Sequence, residues 1–232
     1  MFFSSSKNFD FYQFQKFLVK HQIRGTLPSM NDWPNKISLT PDVWSSIRKI
    51  KDYTKQEGRE RSTSLFVANG DIVTTPYVRG KESRVSSKHK VTLRYEPTHR
   101  KNWYEKILFL DGNIYKKYTI SKDKVPKKPE VHYLFNIHTH PPHKTESGKI
   151  YYNHISETDM NGLLSGKSLC MGLAIDKFWL VCKTNDSTFT KDLNKYSREF
   201  TLKNNYEEFC NYLKDNNIVA YLGKYGGKLI KQ

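Results

Sequence analysis

The chain has 232 residues, 37% of them hydrophobic and 14% aromatic, which is enough for one large folded domain and too apolar for a disordered chain. No apolar run approaches the roughly 18 residues that a membrane-spanning helix needs. The start, Met1 to Lys7, lacks the charged lead and long apolar stretch of a secretory signal. Three cysteines, Cys170, Cys182 and Cys210, are an odd number without metal-type spacing. A cytoplasmic protein with reduced thiols is therefore expected. The formal charge of +16 is uneven: Arg79 to Lys128 holds 15 Lys/Arg against 5 Asp/Glu, a net of +10. A surface of that kind attracts polyanions, so weak, salt-sensitive nucleic-acid binding stands beside the plainer reading of a solvated basic face.

Residues 8 to 22 place Phe11, Phe14, Phe17, Leu18 and His21 at helical spacing. Leu39-Thr40-Pro41-Asp42 reads as a helix start with Pro at the first helical position. That helix carries Val43, Trp44, Ile47 and Ile50 on one side and stops before Gly58. Ser62 to Ala68, the Asn69-Gly70 turn and Ile72 to Val78 predict a hairpin. Further strands are expected over 90–95, 106–110 and 114–120, with Asp111-Gly112 turning the chain between the last two. After a basic, Pro-punctuated loop, Val131 to His138 is an apolar strand. Ser156 to Ser165 reads as a short helix closed by Gly166, followed by a hairpin of Leu169 to Ile175 and Phe178 to Lys183 around Asp176-Lys177. Thr190 to Lys214 looks helical. The order implies an α+β fold, a mixed sheet sandwiched by helices. The expected division is an N-terminal helical extension (1–38), a central domain (39–185) and a C-terminal helical segment (186–232).

The chemistry concentrates in Asn136-Ile137-His138-Thr139-His140-Pro141 and Ser156-Glu157-Thr158-Asp159. Side chains alternate along a strand, so His138 and His140 point to one side and can grip one metal ion. Asp159 in the next element supplies a third ligand and leaves a fourth position open for water, the arrangement of a catalytic zinc site. A His-x-His pair also occurs in cupins, amidohydrolases and PHP phosphoesterases. Those need further ligands, and His143 and His154 are the only later histidines. Ser156 with Asp159 also fits a helix capping box.

Together with Glu60, just before the apolar strand, these motifs resemble the JAMM (MPN-type) metalloprotease family: an upstream Glu, then His-x-His-Pro, then Ser-x-x-Asp. The resemblance covers about residues 40 to 185. It implies a JAMM/cytidine-deaminase-like core and a zinc isopeptidase acting on a ubiquitin-like protein or its conjugate. It also implies His138, His140 and Asp159 as zinc ligands, Ser156 beside the oxyanion and Glu60 as general base. Glu57, one turn away, is the competing carboxylate, and Arg59 and Arg61 can hold either in an ion pair. The chain departs from the pattern in the 15 residues Pro141 to Ile155, a longer loop than the family usually has, and in the long basic block at 79–128. The alternative reading is a basic nucleic-acid-associated module on the same fold, with catalysis secondary or absent.

Overall fold

A computed structural model describes residues 7–80, 89–188, 193 and 206–232. It is a mixed α/β structure built on one large curled sheet. Helices cover both faces. On one side lie α1 (Phe11–Arg24) and α2 (Pro41–Glu57). Their Phe14, Leu18, Val43 and Ile47 share a buried cluster with Phe135, Ile137, Phe178, Leu180 and Tyr221 of the strands. On the other side α3 (Glu157–Ser165) and α4 (Tyr206–Asp215) set Met160, Leu163, Phe209 and Leu213 against Leu173, Trp179 and Val181.

Ten strands form the main sheet. They are β1 (Asn8–Asp10), β2 (Lys36–Ser38), β3 (Arg61–Ala68), β4 (Asp71–Thr74), β5 (Val78–Arg79), β9 (Val131–Thr139), β12 (Cys170–Ala174), β13 (Phe178–Lys183), β14 (Ile218–Gly223) and β15 (Lys228–Lys231). Their spatial order is β1-β2-β15-β14-β13-β12-β9-β3-β4, with β5 also on β3. β12 runs parallel to β9, which requires the crossover that α3 provides. β9 lies antiparallel to β3 and pairs Ser62 with His138. Strict alternation on β12 and β13 assigns Cys170, Phe178, Leu180 and Cys182 to one face and Met171, Leu173, Trp179 and Val181 to the other.

A second sheet, the antiparallel meander β6 (Val91–Pro97), β7 (Trp103–Leu110) and β8 (Asn113–Ser121), holds much of the basic block. Its inner face puts Val91, Leu93, Leu108 and Leu110 against Ala68 and Val73. A short hairpin, β10 (Pro142–Lys144) with β11 (Ile150–Tyr152), occupies the insertion after His140.

Local chemistry explains the ends of these elements. Asp10 accepts from Gln13 N at 2.7 Å and Gln13 reaches back to Asp10 N, so α1 begins at Phe11 and not at residue 8. Gly58 takes φ +63, the left-handed cap that ends α2. Asn69 and Gly70 both have positive φ, as the tight β3–β4 turn demands.

Two expectations are corrected. The strand expected over 72–78 breaks after Thr74, because Pro76 has no amide to donate to a ladder; the chain pairs again only at Val78. The C-terminal segment at 186–232, expected to be helical, supplies α4 and then two strands of the main sheet. Asn217 turns at φ +56, and the short β-branched and aromatic run Ile218 to Leu222 is then completely sheet-paired with β13. Most of the expected helix at 190–214 lies outside the described residues, apart from Leu193 and the stretch from Tyr206. Among the described residues no helix is long and apolar enough to cross a membrane.

Candidate metal centre and cleft

His138 and His140 stand on the α3 face at the end of β9, their ring centroids 5.0 Å apart. Thr139 between them points the other way. Its hydroxyl accepts from Arg61 N at 2.8 Å and meets Thr54 of α2, tying β9, β3 and α2 together behind the histidines. Asp159 approaches from the first turn of α3. Its Oδ1 is 3.2 Å from His138 Nε2 and its Oδ2 is 3.4 Å from His140 Nε2. One ligand atom from each of the three residues lies within 4.8 Å of the others. Tetrahedral zinc with bonds of about 2.1 Å needs its ligand atoms roughly 3.4 Å apart. The three residues could therefore hold a metal ion, and their nitrogen and oxygen donors are of the type that zinc accepts.

Hydrogen bonding points the same way. His140 Nδ1 donates to the Asn153 carbonyl at 2.8 Å, which makes Nε2 the ring atom that faces Asp159. His138 Nε2 is buried without a hydrogen-bond partner, because it sits near Asp159 but off the line of a hydrogen bond. A buried imidazole nitrogen without a well-aligned partner beside a carboxylate is a donor set that a bound cation would satisfy. Burial alone would raise the Asp159 pKa, yet His138 and His140 hold it well below the usual carboxylate range. Burial lowers the His140 pKa, and the neighbouring Asp159 carboxylate more than offsets this, so the net shift is upward.

Ser156 is the N-cap of α3. Its Oγ accepts from Asp159 N at 3.2 Å and donates to Asp159 Oδ2 at 2.7 Å, while its own amide reaches the same oxygen at 2.9 Å. The capping box is present, and it orients the carboxylate that the metal reading requires. At the far end of α3, Lys183 Nζ bonds the Leu163 carbonyl at 3.1 Å, fixing the helix against β13.

The two candidate carboxylates separate clearly. Glu60, 7% exposed, extends its Oε1 to 3.8 Å from His140 Nε2. Burial raises its pKa, and the two histidines oppose that only in part. Glu57 instead pairs with Arg61 and lies 3.3 Å from Arg79, and the Arg61 hydrogen bond lowers its pKa. Arg61 holds Glu57 on the α2 side, away from the histidines.

His143 and His154 take no part in the cluster. His143 stacks on Tyr151 of the insertion hairpin. His154 is buried among Trp179, Tyr206 and Phe209, and burial pushes its pKa down to about 4.

These groups open into a cleft of about 560 Å³ that runs from Glu60 and His140 past Asn136 and Gly162 to Tyr133 and Ser168. From Tyr133 to His138 the strand rises roughly 16 Å, the reach of about five extended residues. Gly162 leaves the helix wall smooth there, since nothing lies within 4 Å of where its Cβ would be. The Asn153 carbonyl was not legible from the residues, because a backbone acceptor leaves no residue signature. Thr139 was legible in principle: the middle residue of His-x-His must face the opposite layer. No family model, curated protein or solved structure matches this chain.

Proposed function

We propose that this chain is a zinc-dependent hydrolase of the JAMM (MPN) type, which cleaves a peptide or isopeptide bond and releases a ubiquitin-like protein from its conjugate or precursor. The observation that carries the reading is the convergence of His138, His140 and Asp159 within 4.8 Å, faced by the buried carboxylate of Glu60. The order Glu, His-x-His-Pro, Ser-x-x-Asp supports it, as does a three-layer arrangement compatible with a JAMM/cytidine-deaminase-like core.

His138 Nε2, His140 Nε2 and an oxygen of Asp159 would hold the ion. Zinc at that position supplies Lewis-acid polarisation of an amide carbonyl and a water acidified toward neutrality. Glu60, its pKa raised by burial, accepts the proton of the attacking water and delivers it to the departing amine. Asn153 keeps His140 in the tautomer that presents Nε2. Ser156 has one hydroxyl proton, and it now goes to Asp159. To stabilise the oxyanion Ser156 must turn, and that rotation becomes less costly once a cation shares the charge of Asp159. An extended C-terminal tail of the substrate lies in the cleft along β9.

Elemental analysis combined with hydrolysis of a panel of ubiquitin-like fusions tests the reading. About one zinc per chain is expected, with loss of zinc in His138→Ala and in Asp159→Ala. Glu60→Gln should keep its zinc and lose about 10²–10⁴-fold in kcat, while Glu57→Gln stays within a few-fold. Undiminished zinc in either ligand variant overturns the ligand set, and the opposite ranking of the two glutamates overturns the choice of base.

A further inference from the structure

The basic block divides into two parts once folded. Around its middle the charge is consumed: Lys106 reaches Asp71 at 2.7 Å, Lys116 reaches it at 3.4 Å, and Lys117 pairs with Glu105 at 2.8 Å. At the end where β6 turns into β7 and β8 leaves the meander, Arg100, Lys101, Lys122, Lys124, Lys127 and Lys128 are all exposed. None of these six forms an ion pair with a described acid. Asp123, the acid between Lys122 and Lys124, is hydrogen-bonded to Ser121.

Trp103 stands in the middle of this cluster, 44% exposed and paired across the strands with small Ser121, which leaves its ring uncovered. The other three tryptophans, Trp33, Trp44 and Trp179, are 3% exposed or less. Exposing an indole forgoes apolar burial that the other three tryptophans obtain.

The platform is also preordered. Thr98 N donates to Trp103 O at 3.0 Å and Trp103 N to Arg100 O at 3.2 Å, closing the β6–β7 turn with Asn102 at φ +67. Lys122 N donates to Asn102 O at 2.8 Å and thereby locks the turn after β8 against it. With the backbones of both turns mutually bonded, a ligand need order only the side chains of these cations and not the loops that carry them.

We propose that this end of the meander is a binding platform for single-stranded nucleic acid. Trp103 stacks on an unpaired base, and Arg100, Lys101, Lys122 and Lys124 track the phosphates on either side. An exposed ring among cations favours single strands over duplex, whose bases are already stacked. It also favours nucleic acid over an acidic polypeptide, which has no flat partner to offer the ring. A lone aromatic among four polar and charged loop residues is too little apolar surface to insert into a membrane. The platform stands at the opposite end of the meander from Asp111-Gly112, and it is independent of the hydrolase reading.

The test uses the full chain and a labelled oligo(U) of about 12 nucleotides, within the span one such site covers. Binding should quench tryptophan fluorescence, because the only exposed indole is Trp103. Affinity should fall with salt along a log–log slope reaching about −4 for six neutralised phosphates. Trp103→Ala should weaken single-strand binding between about 5-fold and 150-fold and leave duplex binding of the same length unchanged. Lys122→Glu with Lys124→Glu should weaken both. Lys224→Glu with Lys228→Glu makes the same charge change on exposed residues at the β14–β15 end of the molecule and should change neither. Equal losses in the two double variants would mean bulk charge attraction and overturn the platform. So would tighter binding of polyglutamate or anionic vesicles than of oligo(U), or a Trp103→Ala variant that binds oligo(U) as well as the parent.

Discussion

His154 shows how one buried residue makes the whole chain sensitive to acid. It is enclosed by Trp179, Tyr206 and Phe209, its Nδ1 has no partner, and burial brings its pKa down to about 4. A folded-state pKa below the unfolded value of about 6.5 means that the unfolded chain takes up a proton the native state refuses. The neutral ring thus contributes stability that is complete above pH 6.5 and is lost as pH falls toward 4. Urea unfolding should show His154→Phe losing about 2–3 kcal/mol less than the parent between pH 7 and pH 4.5. Identical losses in the two proteins would place the titration elsewhere. Zinc chemistry has little claim on this histidine, whose surroundings are those of a core residue.

Among the elements, the insertion hairpin has a tip free of the histidine cluster and a root that supports it. Its tip is a hydrogen-bonded turn, with Lys149 N on Thr145 Oγ1 at 3.0 Å and Gly148 N on Thr145 O at 2.9 Å. Its root returns through Asn153, whose carbonyl holds His140. Replacing residues 144–149 with a short Gly/Ser linker should therefore leave zinc content and thermal stability nearly unchanged and raise KM for a protein substrate. Removing the ribbon down to residue 152 should weaken zinc binding about 10–100-fold, the usual cost of losing the group that orients a ligating histidine. Equal zinc content in both deletions would show that Asn153 keeps its place without the ribbon. The closing contacts of α3 belong to the same argument. Ser156 at its start and Lys183 at its end hold the helix that carries Asp159, so this proposed ligand is aimed by a rigid element and not by a loop.

At the scale of the whole molecule, Asp71 fastens the meander to the main sheet. It accepts from Tyr118, lies 2.7 Å from Lys106 and 3.4 Å from Lys116, and Lys106 also reaches the Asn69 carbonyl at 2.9 Å. Burial would raise the pKa of Asp71, but its bonds to Lys106 and Tyr118 bring it below normal. Asp71→Ala leaves Lys106, 4% exposed, without its carboxylate, a change that costs about 3 kcal/mol or more. Hydrogen exchange should show the meander strands opening while β9 and β12 stay protected. Protection lost uniformly across both sheets would mean that the meander and the main sheet unfold as one cooperative unit.

Local pattern was enough for much of this protein. The helix from Pro41 to Glu57, the Asn69-Gly70 hairpin, the strand ending in His138 and the capped helix at Ser156 each follow from short-range rules, and so does the shared side of His138 and His140. For the proposed general base the sequence left two glutamates one turn apart. Only tertiary structure separated them, by turning Glu60 into the cleft and committing Glu57 to Arg61 and Arg79. The two C-terminal strands were equally beyond local reading, because the run Ile218 to Leu222 becomes a strand only through its pairing with β13. The same holds for the basic block, whose composition specifies an amount of charge but not which lysines are neutralised. That depends on Asp71 and Glu105 reaching them across strands, and it leaves the unpaired cations gathered around Trp103. Period and capping are properties of neighbours in the chain, whereas burial and charge pairing are properties of neighbours in space.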